Sequence, residues 1–326
     1  MPTRRLGSSG IEVGTIALGT MMFGGWGNDD VDECVRMVEL ALERGVTLVD
    51  TADIYDQGRS EEILGRALAG RRDDVVLATK CGNPMGEDPA RRGLSARWIR
   101  AACDDSLRRL GTDRIDLFQM HRPDPATPIE ESVAAMGELL RAGKIRAWGT
   151  STFSCDELEA ARAAAVATGV APPATEQPPY SVLVRGIERE VLPWCAAHDV
   201  GAIAWAPLNG GWLTGKYQSG ALDPEGRAVK KAEHFDHRDE AVRAEKRAIV
   251  ERLTVVAADA GLTLVQLAIG FVTAQPAVTA AIVGPRRLDQ LPALLDAAGV
   301  ALSPDVLAAI DDVVAPGRTV NPANDG

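Results

Sequence analysis

The 326 residues contain no run of about 18 consecutive apolar residues, so no transmembrane helix is expected. The first ten residues carry arginines but neither an apolar run nor a cleavage site, which argues against a secretory signal. Cysteine is scarce, odd in number and never spaced as Cys-x-x-Cys (Cys34, Cys81, Cys103, Cys155, Cys195). That excludes a disulfide framework and a cysteine-built zinc site, and it fits a reducing, cytoplasmic setting. Histidines number four; His234 and His237 form an HxxH in a charged stretch with no further ligands nearby, so no metal is expected. Positive charge is also short, with 35 Lys and Arg against 46 Asp and Glu and a net charge of −11. Phosphate binding needs clustered positive charge, so nucleic-acid partners are not expected. The basic pairs Arg71-Arg72 and Lys230-Lys231 read as solvated faces.

What the chain does have is a rhythm. Short apolar runs recur at Thr15–Leu18, Val46–Val49, Val75–Ala78, Ile115–Phe118, Ile145–Trp148, Ala174–Gln177, Gly201–Trp205 and Val278–Val283. Most are too short and too evenly apolar for solvent-facing hairpins, so they read as buried strands. Helical patterns lie between or after them, at Val31–Arg44, Glu61–Ala69, Ala96–Leu110, Ile129–Arg141, Cys155–Ala167, Gly186–Ala197, Ala241–Ala260 and Leu288–Ala297. Gly45, Gly111, Gly143 and Gly261 stand where left-handed C-caps are needed. Eight strands, each with a helix, predict a (β/α)8 TIM barrel, a doubly wound sheet being the alternative that periodicity leaves open. An N-terminal hairpin is expected over Arg4–Val13, turning at Ser8-Ser9-Gly10 and plugging the barrel. A long Gly- and charge-rich loop follows strand seven, Gly210–Arg238, where an active-site loop belongs. No linker interrupts residues 1–326, so one domain is expected, with a poorly ordered tail from Pro316 to Gly326.

Active sites of such barrels lie at the C-terminal ends of the strands. Asp50 follows the second run, in Asp50-Thr51-Ala52-Asp53-Ile54-Tyr55; Lys80 follows the third and His121 the fourth. Singly, each has an ordinary explanation: a helix cap, a surface charge, a satisfied core histidine, a packing tyrosine. Together, three successive strands deliver a carboxylate, an ammonium and an imidazole to one rim, with Tyr55 beside them. That is a proton-transfer constellation, and a buried lysine needs a partner such as Asp50 to stay charged.

These residues resemble the catalytic tetrad of the aldo-keto reductase superfamily, closest to the branch of bacterial reductases and potassium-channel β subunits. The likeness runs from Leu18-Gly19-Thr20 to Ile282-Val283-Gly284. It implies that Tyr55 is the general acid, Lys80 lowers its pKa, Asp50 pairs with Lys80, and His121 orients the carbonyl. The chemistry is consistent, because an ammonium favours phenolate and two donors suit a carbonyl oxygen gaining charge. Hydride requires a cofactor, since no side chain supplies one.

No Rossmann fingerprint is present: Gly24-Gly25-Trp26-Gly27 lacks its spacing. Gly210 to Lys216 matches GxxxxGK but Tyr217 stands where a P-loop needs Ser or Thr, so an NTPase is not expected. The resemblance instead implies NADPH held by Gly19, Thr20, Met21 and Asp50, and by Trp205-Ala206-Pro207-Leu208, Gly210 and Lys216, Trp205 stacking on the nicotinamide. It implies that Ser151, Thr152 and Gln177 hold the carboxamide, Thr152 standing where many members have Asn. Gly284, Arg286 and Gln290 match the adenosine-phosphate segment, the arginine favouring the 2′-phosphate of NADPH over NADH. Ala293 and Leu294 replace the usual Glu-Asn pair, so adenine is expected to be held differently.

Met22, Phe23, Trp26 and Trp212 are expected to wall a mainly apolar substrate pocket, and Cys81 reads as packing. A small carbonyl substrate is therefore expected, with a homo-oligomer left open. The second reading is a nicotinamide-binding redox-sensing regulatory subunit; the third is a barrel lyase or isomerase.

Overall fold

The computed structural model describes residues 1–220 and 239–321. Residues 221–238 of the excursion after strand seven, with His234, His237, Lys230 and Lys231, lie outside the described residues. The chain opens with an antiparallel pair, β1 (Thr3–Arg5) and β2 (Glu12–Gly14). Eight parallel strands then follow: β3 (Ile16–Gly19), β4 (Leu48–Asp50), β5 (Val76–Cys81), β6 (Ile115–Met120), β7 (Ile145–Thr150), β8 (Thr175–Glu176), β9 (Gly201–Ala204) and β10 (Val278–Val283). They close in the order β10-β3-β4-β5-β6-β7-β8-β9, a (β/α)8 barrel as expected rather than an open sheet. Around it lie α1 (Val31–Glu43), α2 (Arg59–Ala67), α3 (Ala96–Leu110), α4 (Ile129–Arg141), α5 (Cys155–Thr168), α6 (Val191–Ala197), α7 (Glu240–Asp259), α8 (Leu264–Ala274), α9 (Leu291–Leu295) and α10 (Pro304–Val313).

The barrel interior explains the strand sequences. Its lower layer pairs small against large across neighbouring strands: Ala17 beside Leu48, Ala78 beside Leu117, and Leu117 beside Ala147. A strand alternates faces with period two, so the residue two further on points into the next layer up. That step takes Leu48 to Asp50, Ala78 to Lys80, and Leu117 to Gln119 and then His121. Leu6, Ile11 and Val13 of the N-terminal pair close the floor against the same layer. Gly7 makes this contact possible: its φ is +52°, and a Cβ there would sit 2.0 Å from the Ala174 carbonyl oxygen. The hairpin turn is a 3-10 turn over Gly7–Ser9 rather than Ser8-Ser9-Gly10, with Gly10 left-handed after it.

Several expected boundaries move. β5, β6 and β7 run two or three residues further than their apolar runs, so Lys80 and Gln119 lie within strands. Strand six shrinks to Thr175–Glu176. The patterns at Gly186–Ala197 and Leu288–Ala297 each split into a 3-10 turn and a short helix, with Pro193 and Pro292 near the helix starts. Two helices were not anticipated. α8 is buried on almost every side, from Leu267 to Val272, and so lacks an amphipathic period; its Thr263–Gln266 capping box is the sequence signal it does carry. α10 starts with a Ser303 cap and Pro304. The tail also departs from expectation as far as it is described: Val320 is buried, and its N–H donates to the Leu183 carbonyl. The four glycines expected to end helices all have positive φ.

All five cysteines are free. Among the described residues, no single helix is long and apolar enough to cross a membrane. Among the same residues no group of three or more His, Cys, Asp or Glu is arranged to hold a metal.

Candidate active site

The layer above the apolar floor carries charge. Lys80, fully buried on β5, donates to Asp50 Oδ1 at 2.5 Å and to the Thr51 carbonyl at 2.8 Å, and lies 3.4 Å from the Tyr55 hydroxyl. The second carboxylate oxygen of Asp50 accepts from Gln177 Nε2 at 2.9 Å and from Gln119 Nε2 at 3.4 Å. Both oxygens are thus satisfied, the condition on which a buried ion pair depends. Tyr55 enters from the turn after β4, with its ring 6.0 Å from that of His121 in an edge-on arrangement. His121 Nδ1 is buried and has no protein partner. Asp50, Tyr55, Lys80 and His121 are therefore brought to one place.

The electrostatics are mixed in sign. Burial opposes the Lys80 ammonium, but the Asp50 and Tyr55 charges outweigh it and its pKa is raised. Burial raises the Tyr55 phenol, Lys80 pulls it down and Asp50 pushes it up, and the balance lies above the ordinary 10.0. Lys80 thus acts on Tyr55 in the expected direction, and burial opposes it with the larger effect. Burial, helped by the charges of Lys80 and Arg122, holds His121 well below 6.5, so its imidazole is neutral at neutral pH. Burial also lifts Cys81 well above 9.0, as a packed thiol requires.

Going round the rim, Ser151 follows β7 and its hydroxyl donates to the Gln177 carbonyl at 2.8 Å. The Gln177 side-chain amide is engaged with Asp50. Thr152 is left-handed at φ +55° and accepts from Arg122 Nη1. Trp205 follows β9, and Ala206 and Asn209 are left-handed, succeeded by left-handed Gly210 and Gly211. A Cβ at Gly211 would meet Lys216 Nζ at 2.7 Å, so the glycine leaves room for that ammonium over the turn. Pro207 and Leu208 form the start of this turn, and Leu208 O accepts from Gly211 N. Gly284 is exposed just after β10, and Arg286 N donates to Gln290 Oε1 at 2.9 Å. Because β9, β10 and β3 are adjacent, these loops neighbour Gly19, Thr20 and Met21. Thr20 is buried, its hydroxyl turned to Ser60, 2.9 Å away, and its backbone N–H donates to the Asp50 carbonyl while its own carbonyl accepts from Phe23 N, so it braces the turn after β3.

The pocket wall needs correction. Phe23 is fully buried in the main core and Trp212 almost so, packed on Tyr217, because their loops fold back onto the helices. Met22 is also buried, leaving Trp26 partly exposed with its ring 6.4 Å from that of Tyr55. Four residues at this level escaped the sequence reading. Gln119 continues the Leu117–Gln119–His121 face, an alternation that reveals it. Arg122, from the loop after β6, shows no such signal. Asp53 is buried with neither carboxylate oxygen partnered, and burial, then Glu61, drive its pKa well above 3.8.

Glu176 is the fourth. It accepts from Thr150 Oγ1 at 2.5 Å and from Phe153 N at 3.3 Å, bracing the loop that carries Ser151 and Thr152. Burial pushes its carboxyl up from 4.5 to about 7 against those hydrogen bonds. A carboxyl raised in the folded state favours folding below its unfolded pKa, and that contribution is lost as pH rises towards the folded value. Relative to wild type, Glu176→Gln is therefore expected to gain stability between pH 5 and 8, by at most about 3 kcal/mol at about 1.4 kcal/mol per pH unit. Urea midpoints at the two pH values check this; an unchanged difference refutes it.

A barrel with a buried Lys–Asp pair, a tyrosine and a histidine at its C-terminal rim defines a class of barrel oxidoreductase scaffold, and sequence comparison agrees. The model of the aldo/keto reductase family matches residues 15–315. The chain belongs to that family, whose chemistry is oxidoreduction. It is 37% identical to the aldo-keto reductase YhdN of Bacillus subtilis (strain 168), over 91% of this chain and 89% of the relative. It is 36% identical to a probable voltage-gated potassium channel subunit beta of Arabidopsis thaliana, over 96% and 97% of the two chains. An uncharacterized oxidoreductase of B. subtilis, YrpG, is 35% identical over 94% of each.

Proposed function

We propose that the whole chain acts as one barrel unit, an NADPH-dependent reductase of aldehydes or ketones. The Asp50–Lys80–Tyr55 cluster beside a neutral His121 is the observation that carries this reading. NADPH, when bound, supplies the hydride. The protein fits such a group: successive left-handed residues after β9 make a concave turn suited to a pyrophosphate, Lys216 stands over it, and Arg286 lies at the neighbouring strand end. Ser151, Thr152 and Gln177 are the neutral residues that would hold the carboxamide, and Trp205 the one that would stack.

Tyr55 is protonated at neutral pH and so is ready to donate. As charge builds on a carbonyl oxygen, the Tyr55 hydroxyl and the His121 N–H are the two donors that meet it. The proton leaves Tyr55, and the phenolate formed lies beside the Lys80 ammonium, itself held by Asp50. Lys80 thus acts on the product of proton transfer, where its charge counts most.

Titration of nicotinamide fluorescence tests the cofactor. NADPH is expected to bind more tightly than NADH, and Arg286→Ala to weaken NADPH about 10- to 100-fold, as loss of a charge-assisted phosphate contact does, with NADH much less affected. If neither nucleotide binds, hydride transfer is refuted. The similarity to a channel β subunit supports one other reading, a redox-sensing regulatory subunit; turnover of a generic aldehyde with NADPH decides for catalysis.

A further inference from the structure

Arg122 stands at the mouth of this site without an assigned task. It directly follows His121 at the exit of β6, and its Nη1 donates to the hydroxyl of Thr152, just beyond β7. The guanidinium therefore bridges two adjacent strand ends on the rim. The residue is exposed, yet its charge is felt at both the Tyr55 hydroxyl and the Glu176 carboxyl. Among the described residues no carboxylate pairs with it within 4.0 Å. Two other cations at this end of the barrel are paired with carboxylates, Lys80 with Asp50 and Arg91 with Asp105 at 3.4 Å. In a chain of net charge −11, an unneutralised arginine beside the reacting hydroxyl is a local inversion of sign.

We propose that Arg122 is a specificity-determining residue that selects carbonyl substrates bearing an anionic group, a carboxylate or a phosphate. The assignment rests on the reductase reading above and narrows its substrate class. The geometry supplies the reason. One of the five N–H donors is used on Thr152, which ties the guanidinium to the β7 end, and the remaining donors offer a fork suited to two oxygens of one anion. Thr152 is itself held through the loop braced by Glu176, so the fork is positioned rather than loose. Trp26 lies on the Tyr55 side and offers an apolar face to the rest of the molecule. An aldehyde whose oxygen meets Tyr55 and His121 then has its anionic end answered from the β6–β7 side.

Two matched pairs test this with the full chain and NADPH: 4-carboxybenzaldehyde against benzaldehyde, and glyceraldehyde 3-phosphate against glyceraldehyde. Wild-type kcat/KM is expected to favour the charged member of at least one pair by about 10- to 100-fold, the worth of a charge-assisted hydrogen bond. The pair with the larger ratio identifies the anion. Arg122→Met is expected to bring that ratio close to one, chiefly through a higher KM for the charged member, and Arg122→Lys to restore part of it. The wild-type ratios need no variant, so a misfolded Arg122→Met does not blunt the test. Ratios near one in the wild type overturn the proposal, as does an Arg122→Met enzyme that loses activity equally on both members, which marks a structural role. Failure to reduce any of the four aldehydes refutes the reductase reading and this assignment with it. Turnover of the neutral members alone refutes Arg122 and leaves the reductase intact.

Discussion

Tyr55→Phe is expected to lower kcat for aldehyde reduction by about 10²- to 10⁴-fold, the usual worth of a positioned general acid. The substitution removes one oxygen and keeps the ring, so the edge-on packing against His121 and the contact with Trp26 survive. Nucleotide affinity is expected to stay within about threefold, because the loops after β9 and β10 proposed to hold the phosphates lie elsewhere on the rim. The effect should fall on kcat and kcat/KM together, the signature of an interaction made in the transition state. Steady-state kinetics with NADPH, paired with a fluorescence titration of the same variant, measure both quantities. A loss below tenfold would transfer the proton donor's role to another group; a parallel loss of nucleotide binding would point to a collapsed site.

The second large effect concerns stability. Lys80→Met leaves the Asp50 carboxylate buried without its cation, and breaking one side of a buried pair costs about 3–5 kcal/mol. Asp50→Asn alone is expected to cost a similar amount, by stranding the ammonium. The double variant should recover much of the loss, since removing both charges removes the desolvation burden along with the attraction. The pH dependence has a fixed sign. Lys80 is raised in the folded protein, so its contribution is fully present below the unfolded value of 10.5 and is lost as pH rises through the still higher folded value. The wild type's stability is therefore expected to show no slope from Lys80 between pH 6 and 9 and to fall through this group only in strong alkali. Denaturant titrations across that range decide it; strictly additive single variants would show that the two groups do not act as a pair.

The rim cluster was legible because it lies where apolar runs end, and a charged residue interrupting such a run has few structural reasons to be there. Asp50, Lys80 and His121 announce themselves in this way. Gln119 was hidden by cutting the fourth run at Phe118, although the period-two face through Leu117 continues to it. Glu176 was masked by its neighbour Gln177, since nothing local tells which of two successive polar residues at the end of so short a strand faces the barrel. Arg122 belongs to a loop, where period carries no information and only tertiary placement gives a charge its meaning. Phe23 shows the opposite error: an aromatic just past a strand reads as a pocket wall, but here the loop turns back and spends it on the core. α8 was lost because burial on nearly all sides erases the pattern by which helices are found.

The two-tier interior has a consequence for how such a protein can change. The alanine–leucine floor is sealed from beneath by Leu6, Ile11 and Val13, and the charged tier above it draws on the loops only through Thr51, Tyr55 and Gln177. Loops other than the one bearing Tyr55 can therefore be exchanged while the Lys80–Asp50 pair stays anchored to the strands.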